Sequence, residues 1–383
     1  MQSLRNEFLL DPSVTFLNHG SFGATPRPVF ESYQRWQVEL EREPVEFLGR
    51  KANARLQESR SVLAGYLGTT ADSLAFVTNA TTGVNIIAHS LKLAPGDEVL
   101  STDHEYGAMD RTWRYLSKKQ GFTYINYTLP LPVTSKEALV EHFWKGVTPA
   151  TRVIYLSHIT SPTAMIIPIG EIIQKARQTG ILTVIDGAHA PGQIPLSLDA
   201  LGADFYVGNL HKWLCAPKGA GFLFARPETQ PLIEPLIISW GFDEDHRKPT
   251  DFVNIVEMNG TRDIAAFLAV ADAVAFQKSH DWPAVQAACH QLAARARREI
   301  VQLYGLPALY PDSPEWYAQM GTAPLPDDAD VTTLGSRLFQ QYAVEVPIVT
   351  WARHHLVRFS FQAYNTEQDV DRLIAALKQS VKA

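Results

Sequence analysis

The sequence predicts an α/β protein in which a large unit, built on a mostly parallel central sheet, joins a smaller α+β unit. Three observations carry this. Between Leu74 and Ala225 short β-branched or apolar runs alternate with longer amphipathic runs, the pattern of successive strand–helix units. The 383 residues exceed the size at which a single hydrophobic core stops growing. After Pro227 prolines and charges intervene, and the chain then turns to long helical stretches with only short strand candidates.

Taken in order, strands are predicted at Leu74 to Thr78, Glu98 to Ser101, Thr123 to Tyr127, Arg152 to Ser157, Leu182 to Ile185, Phe205 to Gly208 and Gly221 to Ala225. Helices are predicted at Thr82 to Leu93, Met109 to Gln120, Ser135 to Phe143, Ile169 to Thr179 and Ser197 to Leu201. Turns such as Ala94-Pro95-Gly96-Asp97 separate them. Asn259-Gly260-Thr261-Arg262-Asp263 opens an alanine-rich helix to about Lys278, and a second helix covers Trp282 to Leu303. Strands at Glu345 to Val349 and His355 to Phe361 precede a closing helix from Thr366 to Lys378, whose Thr366 and Asp369 fit an amino-terminal cap with an acidic first turn. Ligand chemistry is expected in loops at the carboxyl ends of the parallel strands.

Apolar residues make up 46% of the chain and charged residues 19%, which leaves no room for a long disordered tract. The net charge of -6 is dispersed, which argues against a nucleic-acid track or a basic membrane face and for a small-molecule partner. Cys215 and Cys289 exclude a disulfide framework, one bridge being the most they could form, and fit a reducing compartment. The first twenty residues do not read as a secretory signal, and runs such as Ile181 to Ile185 are far below the ~20 residues that span a bilayer, so the cytoplasm is the expected location.

The strongest chemical signal is TVIDGAHAPG followed by DFYVGNLHKW: an acid ends one strand, and a lysine follows the next after a short loop. Asp186 and Lys212 then converge at one sheet edge. Pyridoxal phosphate needs such a pair, a carboxylate that keeps the pyridine nitrogen protonated and an amine that forms an imine with its aldehyde. Burial and neighbouring cations would lower the lysine pKa and let Lys212 remove a Cα proton.

As a set, these segments resemble the fold-type I pyridoxal-phosphate enzymes of the class V aminotransferase family, over most of the chain from Phe16 to the final helix. That family includes cysteine desulfurases, isopenicillin N epimerases and related C–S lyases. The resemblance implies a cofactor-binding unit at residues 21–255 and a smaller unit from residues 1–20 and 256–383. It also implies that Thr81 and Thr82, in the turn NATTGVN, grip the phosphate, as helix amino termini do. Tyr106, in STDHEYGAM, would stack on the cofactor ring; on its own such a tyrosine reads as packing, and His104 or Glu105 as a surface residue. His189 and Ser161 would lie near the phenolic oxygen, Asn209 and His211 at the phosphate. Asn209 departs from the serine usual in desulfurases. Thr261, in NGTRD, would reach a neighbouring subunit's phosphate, so that a homodimer shares its active sites. Arg358, in LVRFSFQAYNT, would receive the α-carboxylate of an amino-acid substrate, for which a guanidinium fork is suited, and Asn18 and His19, in LNHGSFG, would touch the substrate. His104 and His189 are not at the spacing of a compact metal site, and none is expected.

Cysteine desulfurases need a mobile cysteine late in the chain, and no cysteine follows Cys289. The LNHGSFG, HEYGA and WGF…NGTRD segments lean toward the isopenicillin N epimerase-like branch, which also holds C–S β-lyases. The expected reaction starts with Cα deprotonation by Lys212 and continues as β-elimination. The alternatives are epimerisation, with Tyr106 as opposite-face proton donor, transamination, and an inactive scaffold, which the intact Asp186, Lys212 and Arg358 set opposes.

Overall fold

A computed structural model describes residues 3–242 and 251–381. Near the amino terminus Thr15–Phe16 (β1) forms a short strand. The central sheet follows: Leu74–Val77 (β2), Glu98–Thr102 (β3), Thr123–Tyr127 (β4), Thr151–Ser157 (β5), Leu182–Asp186 (β6), Phe205–Asn209 (β7) and Gly221–Ala225 (β8). Its spatial order is β2-β8-β7-β6-β5-β3-β4, and β8 alone runs antiparallel to its neighbours. The mostly parallel sheet is therefore as the alternation predicts.

Both faces are buried, which is why the strands read as continuous apolar runs. Alternate residues separate by face. Val153 and Tyr155 join Val184, Val207 and the helices Ala80–Ser90 and Gly107–Gln120 on one side. Ile154 and Leu156 join Ile185, Tyr206 and the helix Ile169–Thr179 on the other.

The carboxy-terminal part adds Met320–Leu325 (β9), Val344–Glu345 (β10), Ile348–Trp351 (β11) and His354–Ser360 (β12). Strands β11, β12 and β9 form an antiparallel sheet in which Arg358 faces Thr322 across the register. Helices Trp282–Tyr304, Val331–Tyr342 and Glu367–Ser380 pack with it and with one another. The last begins with the capping box of Thr366 and Asp369. β1 pairs in parallel with β10, and the Leu4 N–H donates to the Ala363 carbonyl, so the amino-terminal segment is sewn to the end of the chain.

Several expected elements differ. The single strand from Glu345 to Val349 is two, because Pro347 has no N–H to extend the ladder; its carbonyl instead accepts from Arg358 N at 3.0 Å. The helix expected to open at Asn259 is two pieces, Ala265–Leu268 and Val270–Ser279, and a separate helix, Asp251–Glu257, precedes it. Gly260 at φ 106° and an Asp263 carboxylate that accepts from Ala265 N delay its start. Within the crossing expected after Pro227, residues 243–250 lie outside the described residues. The helix expected from Thr82 starts at Ala80, capped by Asn79, and ends at Ser90. Helices Arg27–Arg42, Ala52–Leu67 and Val331–Tyr342, and strand β9, are additional to the predicted elements.

Candidate active site

The carboxyl ends of β5, β6 and β7 and the turn after β2 converge on a cavity of about 240 Å³. Ser157, Asp186 and Asn209 end their strands on its wall, and Lys212 enters three residues beyond β7. This is the strand-end location that parallel sheets reserve for ligands.

Burial, and then the Arg358 charge, lower the Lys212 pKa to about 7, with Asp186 opposing. Nζ of Lys212 lies 3.1 Å from Nε2 of His189, whose Nδ1 accepts the indole N–H of Trp213 at 3.3 Å. An indole can only donate, so the single proton of a neutral His189 sits on Nε2 and points at Lys212. Burial, followed by the Lys212 charge, pushes His189 well below its usual pKa and keeps the ring neutral. A protonated lysine would meet a donor, whereas a neutral one accepts. The site is built for a free amine.

Asp186 is buried and held from two sides: Oδ1 accepts from Ala188 N at 2.9 Å and Oδ2 from the Tyr155 hydroxyl at 3.1 Å. Burial raises its pKa against these bonds and the Lys212 charge. A buried acid with spare acceptor capacity matches a pyridine nitrogen that carries a proton.

At the opposite end lies the amino terminus of helix Ala80–Ser90. Ala80 N donates to Asn209 Oδ1 at 2.8 Å and Thr82 N to Asn79 Oδ1 at 2.9 Å. Between them the Thr81 N–H has no acceptor among the described residues, and Thr81 lines the cavity. A free N–H at a helix start is an anion site. The Thr82 hydroxyl is instead turned to Thr78 (2.8 Å) and Asn79 (3.2 Å) and is not on the wall. Asn209 therefore shapes the turn, and His211 stands beside it with Nδ1 3.2 Å from the Ala220 carbonyl.

Arg358 is 7% exposed, stands behind the wall residues Ser21 and Ser161, and has no carboxylate partner among the described residues. Nη1 donates to Ser161 O (2.6 Å) and Oγ (3.2 Å), Nη2 to Ser21 Oγ (3.0 Å), and Nε is buried without an acceptor among the described residues. Burial lowers its pKa to about 10, so it stays cationic. A buried guanidinium without a counter-ion is a receptor for one. Ser161 thus holds the arginine as well as lining the cavity.

Tyr106 lines the mouth and is 47% exposed. His104 and Glu105, which read as surface residues, are buried: Glu105 accepts from Thr102 and Ser157, and its pKa is raised to about 7 by burial. His19 lies behind the site, fully buried, with its ring against the Tyr364 hydroxyl (3.0 Å) and the Lys212 carbonyl (2.9 Å). It props the lysine backbone and is absent from the cavity wall, as is Asn18. Thr261 is exposed and outside this chain's cavity. Tyr155, Trp213 and Ser21 are the functional side chains that sequence reasoning missed. A tyrosine in the apolar run TRVIYLS and a tryptophan directly after Lys212 were the available signals.

Tight packing holds this geometry. Gly23, at φ 68°, brings the amino-terminal loop onto the lysine segment, where a Cβ would sit 1.9 Å from the His211 carbonyl oxygen.

Comparison with known proteins agrees with this arrangement. The family model described as aminotransferase class-V matches residues 25–373. Isopenicillin N epimerase of Amycolatopsis lactamdurans is 37% identical over 99% of this chain and 98% of its own. L-cysteine desulfhydrase of Arabidopsis thaliana is 26% identical over 96% and 88%. Among solved structures, the apo cysteine desulfurase of Thermococcus onnurineus superposes with a TM-score of 0.85 at 20% identity, covering 100% and 99% of the two chains, which shows a shared fold. A neutral lysine, a buried acid and an open helix terminus together fit pyridoxal phosphate, and this chain belongs to the class-V aminotransferase family as a pyridoxal-phosphate-dependent enzyme.

Proposed function

We propose that this enzyme is a C–S β-lyase: an α-amino acid with sulfur on Cβ and one water yield a thiol, pyruvate and ammonia. Bound pyridoxal phosphate supplies an aldehyde that holds the substrate amine and a ring that draws electrons from Cα. Arg358 receives the α-carboxylate and orients the substrate. Lys212, with a pKa of about 7, takes the Cα proton. Asp186 holds the pyridine N–H, the Thr81 N–H with Asn209 and His211 forms the phosphate end, and Tyr106 covers the ring. Thr82 contributes through the cap that shapes this turn. Thr261 serves the cavity of a second copy, which makes the working form a homodimer, and the residue ranges 21–255 and 1–20 with 256–383 are its two units. Two buried free cysteines suit the cytoplasm.

The observation that carries this reading is that Lys212 is a buried amine on the cavity wall whose pKa is lowered to about 7, a base placed for the Cα proton. Both His189 nitrogens are engaged, and His211 Nδ1 is committed to a carbonyl. Elimination needs one base, whereas epimerisation needs a second acid on the opposite face. Both cysteines are buried with raised pKa values, so neither serves a persulfide relay. The relatives named for L-cysteine desulfhydrase activity point the same way.

The 37% identity to isopenicillin N epimerase supports epimerisation as the second reading, with Tyr106 as opposite-face donor. Incubation with cysteine, cysteine S-conjugates and sulfur-free amino acids in deuterated water, followed by NMR, separates them. Pyruvate from sulfur-bearing substrates establishes the lyase; Cα deuteration with inversion and no pyruvate overturns it. New keto acid beyond pyruvate would mark transamination, and protein that never turns yellow with the cofactor would mark a scaffold.

A further inference from the structure

Arg358 is held by a directed chain of hydrogen bonds that ends on Glu345, outside the cavity wall. Its Nη2 donates to Ser21 Oγ at 3.0 Å, Ser21 Oγ donates to Asn18 Oδ1 at 2.5 Å, and Asn18 Nδ2 donates to Glu345 Oε1 at 3.0 Å. Glu345 sits in β10, paired with Phe16 of β1, and accepts Leu17 N on its carbonyl at 2.9 Å. The loop is anchored on β12 as well, since Ser360 N donates to Leu17 O and Gly20 N to Ser360 Oγ.

The direction of this chain follows from donor and acceptor chemistry. A carboxylate only accepts, so Glu345 compels Asn18 to present its NH₂ group. The amide oxygen must then face Ser21. Ser21 has one proton and spends it on that oxygen, which leaves lone pairs, and no proton, toward the guanidinium. The reverse arrangement, a hydroxyl proton aimed at a cation, is excluded by a residue two hydrogen bonds away.

A carboxylate placed directly on Arg358 would neutralise it and occupy the edge that substrate needs. A neutral hydroxyl orients the same guanidinium and leaves its charge available. We propose that Glu345 and Asn18 preset Ser21 as a neutral acceptor that holds Arg358 for the substrate carboxylate. All three are positioning residues, and Asn18 acts through Ser21 rather than by touching substrate. The proposal rests on Arg358 as the carboxylate receptor.

The test is the affinity of the holoenzyme for α-aminoisobutyrate and for its amide, measured by calorimetry. The acid has no Cα hydrogen and no leaving group, so binding is read without turnover. In the unsubstituted enzyme the acid binds tighter than the amide, and Arg358→Met abolishes the difference. Ser21→Ala lowers the acid-to-amide ratio about tenfold, near the lower end for one hydrogen bond to a charged group, and Glu345→Leu, which lets the Asn18 amide turn over, lowers it about fivefold, the scale of a neutral one. Ser21→Thr restores it. Loop damage alone would weaken acid and amide together and leave the ratio unchanged. An unchanged ratio in Ser21→Ala and Glu345→Leu, with collapse in Arg358→Met, overturns the relay and spares the receptor; an unchanged ratio in Arg358→Met overturns both.

Discussion

The Trp213 indole N–H donates to Nδ1 of His189 at 3.3 Å, and this one bond decides which nitrogen of a buried imidazole carries its proton. Trp213 is itself fully buried, and its carbonyl accepts Gln277 Nε2 at 2.8 Å, so the donor is fixed in place. Replacing it with Phe removes the donor and lets the proton move to Nδ1. Nε2 would then accept, and would favour a protonated Lys212. Trp213→Phe is expected to lower kcat about fivefold with little change in KM, the scale of one neutral hydrogen bond. Long-range ¹H–¹⁵N spectra of His189 should show the Nε2–H form in the parent and a mixture in the variant. A single unchanged tautomer would remove Trp213 from this role.

Lys212 should titrate near pH 7 in cofactor-free protein. Its pKa is depressed, so the neutral amine accumulates from the acid side: about half is free at pH 7, against about one in 3,000 for an ordinary lysine. Reactivity toward an amine acylating reagent, followed at Lys212 by peptide mass spectrometry, should rise through pH 7 and level off above pH ~8. Arg358→Met removes a repelling cation and moves the midpoint up. Asp186→Asn removes a stabilising anion and moves it down. A midpoint above about 9 in the parent would mean that burial does not tune this amine.

The large sheet and the Asp186–Lys212 pair were legible because parallel strands buried on both faces leave unbroken apolar runs, and because chemistry sits where those runs end. Strand β9 was not. Its sequence, MGTAPL, contains Gly, Ala and Pro; among the described residues it pairs with β12 alone, which leaves it an edge where Pro324 is tolerated. The helix Ala52–Leu67 was obscured by Arg60, a charge on its buried side whose Nη1 meets both carboxylate oxygens of Glu257 at 3.0 Å. That partner lies 197 residues away. The surroundings of His19 were hidden for the same reason: its neighbours, Tyr364 and the Lys212 carbonyl, come from distant segments, and only folding shows that it stands behind the cavity wall.

Two glycines give opposite stability predictions. Gly23→Ala strains a left-handed residue and drives a Cβ into the His211 carbonyl, so the variant should lose at least about 3 kcal/mol, with cofactor retention falling as the lysine segment shifts. Gly170 lies in the first turn of the helix Ile169–Thr179, where a Cβ meets nothing within 4 Å. Gly170→Ala should gain about 0.5–1 kcal/mol from helix propensity. Denaturant midpoints of the two variants check both. A neutral Gly23→Ala would mean that the loop can leave the lysine segment without cost.

The two thiols offer a direct check on the chemistry of sulfur release. Cys215 is fully buried at φ 65°, its sulfur 3.9 Å from His19 Nε2, and Cys289 is 2% exposed with its pKa pushed up to about 12 by burial. A persulfide relay requires an exposed thiolate that reaches the substrate sulfur, and neither residue offers one. The Cys215→Ala, Cys289→Ala double variant should therefore retain roughly half or more of the C–S cleavage rate, since it loses packing but no nucleophile. Sulfur should leave as the free thiol in both proteins. Loss of cleavage in a folded, cofactor-loaded double variant, together with persulfide on either cysteine of the parent, would replace elimination with sulfur transfer to the protein.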